Sequence, residues 1–395
     1  MPWSMRDKTC IAGIGETEFL PWGQARRSEF QMACEAIIKT CEDAGLPIEQ
    51  VDGIFSYADD RNNGPWIARA LGIPQLRINN MFWGGGGGGG SGAVCNAMMA
   101  VYSGVCNYAI AFRSLAQGQF GRFGQSRATE RVQGEGAHAS PFGLMNPVHR
   151  YALHARRHMH EFGTTEDHLC NLSLASYKHA QRNPRAVMYG RPITRELYHK
   201  SRYISEPLHL YDCCQENDGS AAVLVTTPER ARDLKQKPVY LVAAAQGTGP
   251  HEGGYAGREY PTSNFSTVAK DLWQRAGLEP KDIQVMQIYE NMTSMVLMSI
   301  EEHGFCKRGE GGPFSDGGRL EHKSVADPGA PHAGKLPMNT SGGNLAEAYI
   351  HGLELVTEAV RQMRGTSTCQ VEGAEICLVA SGPGVAPVSD LIVRR

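Results

Sequence analysis

The chain has 395 residues, enough for two or three domains around a large buried core, which excludes a peptide-scale or disulfide-stapled scaffold. Its 39 Lys and Arg nearly balance 41 Asp and Glu, leaving a formal charge of −2, so no basic excess points to nucleic acid or an anionic membrane surface. No run reaches the ~18 consecutive apolar residues of a membrane helix and the N-terminus is unlike a signal peptide, so a cytoplasmic protein without membrane contact is expected.

A β-rich run, Thr9 to Gly15, opens the chain. Its Gly13-Ile14-Gly15 is no dinucleotide loop, because Glu16-Thr17-Glu18 follows and the third glycine is missing. Phe30 to Asp43 places Met32, Ala33, Ala36 and Ile37 on one helix face, Gly45 follows as a C-cap, and Val51 to Tyr57 reads as a strand. Then comes the compositional anomaly. Glycine numbers 46, about 12% against a usual ~7%, and Gly84 to Gly90 are consecutive. In isolation such a run is a flexible linker. Here it leads directly into Ser91-Gly92-Ala93-Val94-Cys95 and an apolar helical stretch to Val101, followed by Ser103-Gly104 and the strand Asn107–Phe112. Glycines feeding a helix N-terminus supply backbone N–H groups and let a ligand approach with no intervening Cβ.

From Gln117 to about Pro207 the chain is rich in histidine and arginine, with helical stretches at 149–162 and 166–181. This reads as an insertion over the first unit, which resumes at the buried strand Ser220–Val225. His154-Ala-Arg-Arg-His158 has the spacing of helix metal ligands but lacks the Glu after the first His and a marked third ligand, so no metal site is expected. The eleven cysteines, with no C-x-x-C pair, read as reduced thiols. The first unit then recurs: Ala276-Gly277-Leu278 and Ile283 stand 232 positions after Ala44-Gly45-Leu46 and Val51. The segments after Ser91-Gly92 and Ser341-Gly342, with the strands Tyr108–Phe112 and Glu375–Ala380, give a second correspondence. The chain therefore divides into two copies of one α/β unit, 1–235 with an inserted loop domain at about 118–207, and 236–395.

The order Ser-Gly, helix, Ser-Gly, strand within a duplicated α/β unit resembles the thiolase superfamily, in particular its sterol carrier protein-type and lipid-transfer-protein branch. Ile11–Phe19, Asp218–Val225, Ser341–Leu345 and Ala380–Gly384 extend the resemblance over nearly the whole chain. It implies a thiolase-like fold of two duplicated halves, each with a five-stranded sheet, layered α/β/α/β/α, with an inserted loop domain. A thiolase needs a nucleophilic Cys two residues before the first Ser-Gly pair; here Gly89 stands there. The family's histidines fall on Tyr289 and Tyr349, and its second catalytic Cys on Leu378. Cys95 as a displaced nucleophile would lie more than one turn inside its helix and reads better as a core thiol.

Glycine for cysteine, with tyrosines at former histidines, resembles the steroid side-chain aldolases of this branch. That resemblance implies retro-aldol C–C cleavage of a β-hydroxyacyl-CoA, with a steroid side-chain thioester as substrate and acetyl-CoA or propionyl-CoA plus a steroid aldehyde or ketone as products. Such a reaction needs no acyl carrier; it needs a base for the β-hydroxyl, a stabiliser for the enolate and an acid to protonate it. Tyr349, Tyr289 and, in a glycine-flanked loop, Tyr255 are the expected catalytic residues, with the acid and base roles open between them. Gly89, Gly90, Ser91, Asn291, His351, Gly382 and Gly384 are expected at the substrate, and the missing cysteine side chain is expected to enlarge the pocket floor. The resemblance further implies a homodimer core joined by an OB-fold/zinc-ribbon partner into a heterotetramer, with CoA thioester as substrate, no covalently bound cofactor, and zinc only in that partner. The competing readings are a non-catalytic acyl-CoA or lipid-binding subunit and an acetyl-CoA acyltransferase with a relocated nucleophile.

Overall fold

The computed structural model describes residues 3–58, 60–84, 86–120, 137–249 and 260–395. The first half runs β1 (Cys10–Glu16), β2 (Leu20–Pro21), α1 (Glu29–Ala44), β3 (Gly53–Tyr57), α2 (Gly64–Ala70), β4 (Ile78–Phe82), α3 (Gly89–Tyr102) and β5 (Ala109–Ala116). There follow α4 (Pro147–Phe162), α5 (Glu166–Ala180), α6 (Arg195–Lys200) and a hairpin of β6 (Tyr203–Ser205) and β7 (Leu208–His209), before β8 (Asn217–Thr226) and α7 (Pro228–Ala231). The second half comprises β9 (Val239–Gly247), α8 (Val268–Ala276), β10 (Val285–Ile288), α9 (Thr293–Glu302), α10 (Gly311–Phe314), α11 (Gly343–Ala346), α12 (Leu353–Arg364), β11 (Ile376–Ser381) and β12 (Val388–Arg394).

The repeat inferred from sequence is repeated in backbone geometry. Gly45 ends α1 at φ 70° and Gly277 ends α8 at φ 59°, the left-handed caps that a residue without Cβ adopts at least cost. Each cap leads through a 3-10 turn, Ile48–Gln50 or Pro280–Asp282, into β3 or β10. The strands hydrogen-bond in the order β4-β3-β5-β8-β1-β9-β12-β11-β10, with β2 on β8. The half-sheets meet where β1 pairs with β9 at Cys10–Tyr240 and Ile11–Val239.

The expectation of five strands in each half holds for the first half. In the second, the strand equivalent to β4 is reduced to one parallel bridge between Met286 and Met338. The preceding stretch carries Pro328, Pro331 and Pro337, which cannot donate to a sheet ladder.

Strand alternation builds the layers. Phe55, Ala111, Val223, Leu241, Val379 and Leu391 point into one central core with α3 and α12. On the opposite faces, Ile54, Ile110 and Leu224 meet α1 and α2, while Val242, Met286, Leu378 and Ile392 meet α8 and α9. Helix α3 touches strands of both halves; its residues 89–95 and 97–98 are buried, so the glycine run leads into the centre of the molecule. Helices α4 and α5 pack on α9 of the second half rather than over the first, because Tyr151, Ala155, Leu169 and Leu172 complete the core around Met295 and Leu297. All eleven cysteines are unpaired. Among the described residues no helix is long and apolar enough to cross a membrane.

Candidate active site

The two tyrosines singled out from the sequence meet. Tyr289 directly follows β10, anchored by its N–H to the Ala380 carbonyl at 2.9 Å. Tyr349 lies in the turn between α11 and α12, anchored by its N–H to Asn217 Oδ1 at 2.7 Å. The Tyr289 hydroxyl donates to the Tyr349 hydroxyl at 2.7 Å, in buried surroundings. His351 stands beside them, its ring centroid 5.5 Å from that of Tyr349 and 6.5 Å from that of Tyr289.

The turn that carries Tyr349 and His351 is strained and tied down. His351 has φ 59°, a conformation that a side chain seldom adopts without support. The Tyr57 hydroxyl donates to its carbonyl at 3.0 Å, and Glu354 accepts the N–H groups of Ile350 and Gly352 at 3.2 and 3.0 Å. Tyr57 is fixed in turn by buried Arg113, which donates to its carbonyl at 2.9 Å and pairs with Asp60 at 3.0 Å. The offset that relates Val51 to Ile283 also relates Tyr57 to Tyr289. Both tyrosines stand at the C-terminal ends of equivalent strands, and the duplication therefore carried a signal for Tyr57 that motif reading missed.

The glycine run accommodates these rings. A Cβ on Gly87 would lie 2.2 Å from Tyr289 Cζ, and one on Gly89 would lie 2.3 Å from Tyr57 Cβ. Both separations are far inside van der Waals contact, so a side chain at either position is incompatible with the tyrosine beside it. The expectation of an enlarged pocket floor at Gly89 is thereby corrected: Tyr57, not substrate, takes the volume of the missing cysteine. Neither position weighed from the sequence, Cys95 or Leu378, supplies a replacement nucleophile. Cys95 is buried in α3 and its thiol is pushed up to about 12 by burial, and Leu378 points into the outer core.

The remaining expected site residues are mostly occupied with protein partners, Ser91 across the halves and Asn291 and Gly384 within the second half. Ser91 donates its N–H to Ser381 Oγ at 3.1 Å, and the two hydroxyls are 2.9 Å apart. Asn291 donates to the Pro383 carbonyl at 2.6 Å and accepts from the Met292 N–H at 2.8 Å. Gly384 gives its N–H to the Ser263 carbonyl at 2.9 Å. A Cβ on Gly382 would lie 2.2 Å from Gly88 N, so that glycine allows the last loop to touch the run, and Gly90 faces Ser381 and Gly352. Tyr255 lies outside the described residues. Cys214, read from sequence only as one of the reduced thiols, borders the pair: its N–H donates to the Asn291 carbonyl at 3.0 Å, and its charge when ionised would raise both phenols.

Burial sets the protonation states. It holds both phenols well above the usual phenol range; for Tyr289 the neighbouring Tyr349 adds to the rise, and for Tyr349 the hydrogen bond from Tyr289 opposes it. Burial, then the Arg113 charge, holds His351 well below the usual imidazole range. At neutral pH the site therefore contains two phenols and a neutral imidazole. Of the two phenols, Tyr349 is the one whose ionised form is already hydrogen-bonded.

Comparison with known proteins agrees with this geometry. A family model described as Thiolase C-terminal domain-like matches residues 255–393. The sequence is 41% identical to the 17-hydroxy-3-oxo-4-pregnene-20-carboxyl-CoA lyase of Mycobacterium tuberculosis, over 98% of this chain and 99% of the relative. It is 40% identical to a steroid side-chain-cleaving aldolase of Thermomonospora curvata, over 97% of each. A solved structure described as Ltp2-ChsH2(DUF35) aldolase superposes with a TM-score of 0.88 and 38% identity, covering 99% of this chain and 98% of that one.

Proposed function

The chain belongs to the thiolase superfamily, in its branch of steroid side-chain-cleaving aldolases, and on that premise we propose that Tyr349 and Tyr289 conduct the proton transfers of a retro-aldol cleavage. The enzyme is a carbon–carbon lyase acting on a CoA thioester. Its substrate is a β-hydroxyacyl-CoA bearing a steroid, and its products are acetyl-CoA or propionyl-CoA and a steroid aldehyde or ketone.

In this reaction the β-hydroxyl loses its proton, the Cα–Cβ bond breaks with its electron pair moving into the thioester enolate, and Cα is protonated. No co-reactant is required. Because both phenols are protonated at rest, Tyr349 works as a relay: its oxygen receives the β-hydroxyl proton as its own proton passes to the enolate. Tyr289, whose proton is directed at Tyr349 Oη, stabilises the charge that builds there. A relay of this kind avoids a free phenolate, which burial makes costly. The first-turn N–H groups of α3 at Gly89 and Gly90, with the positive end of the helix dipole, are assigned to the enolate oxygen. His351, neutral, borders the reacting carbon. The two halves, 1–235 with its insertion at about 118–207 and 236–395, each supply part of this site.

We assign the chain a DUF35-type partner, as in the similar solved assembly, with an OB-fold and zinc ribbon supplying the zinc and no covalently bound cofactor here. A homodimer core is supported by the edge strand β4, where Asn79, Asn80 and Met81 are exposed, and by Trp83 and Trp66, 79% and 71% exposed. A cytoplasmic location accords with eleven unpaired thiols.

The observation that carries the reading is the 2.7 Å contact between two buried phenols where a cysteine nucleophile is sterically excluded. Tyr349→Phe, co-expressed with the partner and assayed for acyl-CoA release, is expected to lose about 10²–10⁴-fold in kcat, the range of general acid–base contributions, while its circular dichroism is unchanged. Turnover near the wild-type rate removes Tyr349 from the chemistry. Absence of cleavage by the wild-type complex on any β-hydroxyacyl-CoA leaves a binding subunit instead.

A further inference from the structure

A second cluster of chemically capable side chains lies outside the tyrosine site. Glu166 opens α5, His199 lies in α6 and His209 ends β7. One ligand atom from each of the three lies within 4.8 Å of the others. His209 Nε2 is 3.4 Å from Glu166 Oε2.

The surroundings of these side chains are those of a built site. His209 Nδ1 is held 2.9 Å from the Ser201 carbonyl oxygen, and His199 Nε2 is held 3.0 Å from Asp167 Oδ1. One ring nitrogen of each histidine is thus committed to an oxygen acceptor, the arrangement that fixes the tautomer and aims the other nitrogen of a metal-bound imidazole. The Tyr203 hydroxyl donates to Glu166 Oε1 at 2.9 Å, and its ring lies 4.2 Å from that of His209. Asp167 is itself oriented by Arg195 at 2.7 Å. His209 is buried, whereas Glu166 is half-buried and His199 exposed, so an ion could enter and keep a water ligand.

We propose that Glu166, His199 and His209 bind one divalent transition-metal ion, with zinc matching best this set of two imidazoles and a carboxylate. Its role is positional. The ion would join α5, α6 and the β6–β7 hairpin at one point, and His209 continues directly to the active-site wall. The His209 N–H donates to Asp212 Oδ2 at 2.7 Å, Asp212 accepts from Thr293 at the start of α9 at 2.6 Å, and Cys214 lies two residues further on. The sequence reading expected no metal in this chain. The ligands stand 33 and 10 residues apart, too far for a local spacing signature, and only the packing of the insertion unites them.

The test uses the full chain stripped with EDTA and titrated with cobalt(II), then with zinc. Expected are one cobalt per chain, a visible d–d band without the near-ultraviolet thiolate charge-transfer band, and displacement by zinc. Zinc should also raise Tm by a few degrees. His199→Ala should weaken binding by ~10-fold or more and abolish the Tm rise; Glu166→Gln, which preserves the helix start, supplies the same readout should His199→Ala fold poorly. The proposal is overturned by a thiolate charge-transfer band, by absence of stoichiometric binding to the wild type, or by a folded variant that binds as tightly as wild type.

Discussion

At Gly87 and Gly89 the site's chemistry is decided by the absence of a side chain. Each position presses against a tyrosine ring so closely that even a methyl group displaces it. Gly87→Ala is therefore expected to push Tyr289 away from Tyr349 and to reduce kcat nearly as far as Tyr289→Phe, with a smaller effect on KM, because the damage falls on proton transfer rather than on substrate contact. Gly89→Cys restores the thiolase residue type but not its chemistry. Overpacking against Tyr57 should cost about 1–3 kcal/mol of stability, seen as a lower denaturation midpoint, and incubation with acyl-CoA should leave no covalent acyl-enzyme by mass spectrometry. An acylated Gly89→Cys protein with unchanged stability would show that Tyr57 yields easily and that the steric account is wrong. Tyr57→Phe separates the ring from the hydroxyl: it keeps the packing on Gly89 but removes the bond to the His351 carbonyl, at a net cost of about 1 kcal/mol.

At the level of elements, short-range patterns were legible and long-range juxtapositions were not. The 232-residue offset was readable because the Ala-Gly-Leu segment and the apolar start of the strand after it are local signals, and the structure places a left-handed cap at both Gly45 and Gly277. Tyr289 and Tyr349 were readable as motif positions, though their hydrogen bond was not. Ser91, Asn291 and Gly384 were expected at the substrate; their polar groups instead bind Ser381 across the halves and Pro383 and Ser263 within the second half, partners that no local sequence window contains. The shortened fifth strand followed from prolines whose consequence depends on where the chain had already paired. The exposed edge β4 carries the next prediction. A strand paired on one side only, with exposed Trp83 directly after it, invites pairing with a second copy, and Met81 is 40% exposed on it. Met81→Lys should shift the sedimenting species from dimer toward monomer and lower the apparent Tm in a concentration-dependent way. An unchanged mass would move the homodimer contact away from β4.

For the molecule as a whole, buried titratable groups set the pH at which the fold is most stable. Burial lowers His154 to about 4 and His179 to about 3, and holds His351 well below the ordinary imidazole range. The unfolded chain binds protons at these positions below about pH 6.5 and the folded chain does not, so their contribution is complete above 6.5 and is lost as pH falls toward 4. Burial raises Glu290 and Glu354 to about 8 and Glu347 to about 7. Here the folded chain holds protons that the unfolded chain releases near pH 4.5; this contribution is complete below 4.5 and is lost as pH rises through 8. The two sets oppose each other between 4.5 and 6.5. Above 6.5 only the carboxyl set changes, followed by buried thiols such as Cys10, Cys41 and Cys95, raised to about 12. Stability measured by urea unfolding should therefore decline steadily from pH 6.5 to pH 9. Glu354 ties this decline to function, since it holds the N–H groups of Ile350 and Gly352 on either side of His351. Glu354→Gln, which cannot ionise, should flatten part of the loss between pH 6.5 and 8. A wild-type profile that is level or rising across that interval would mean that these carboxyls are ionised in the folded protein, and that the turn carrying Tyr349 is held by charge rather than by neutral hydrogen bonds.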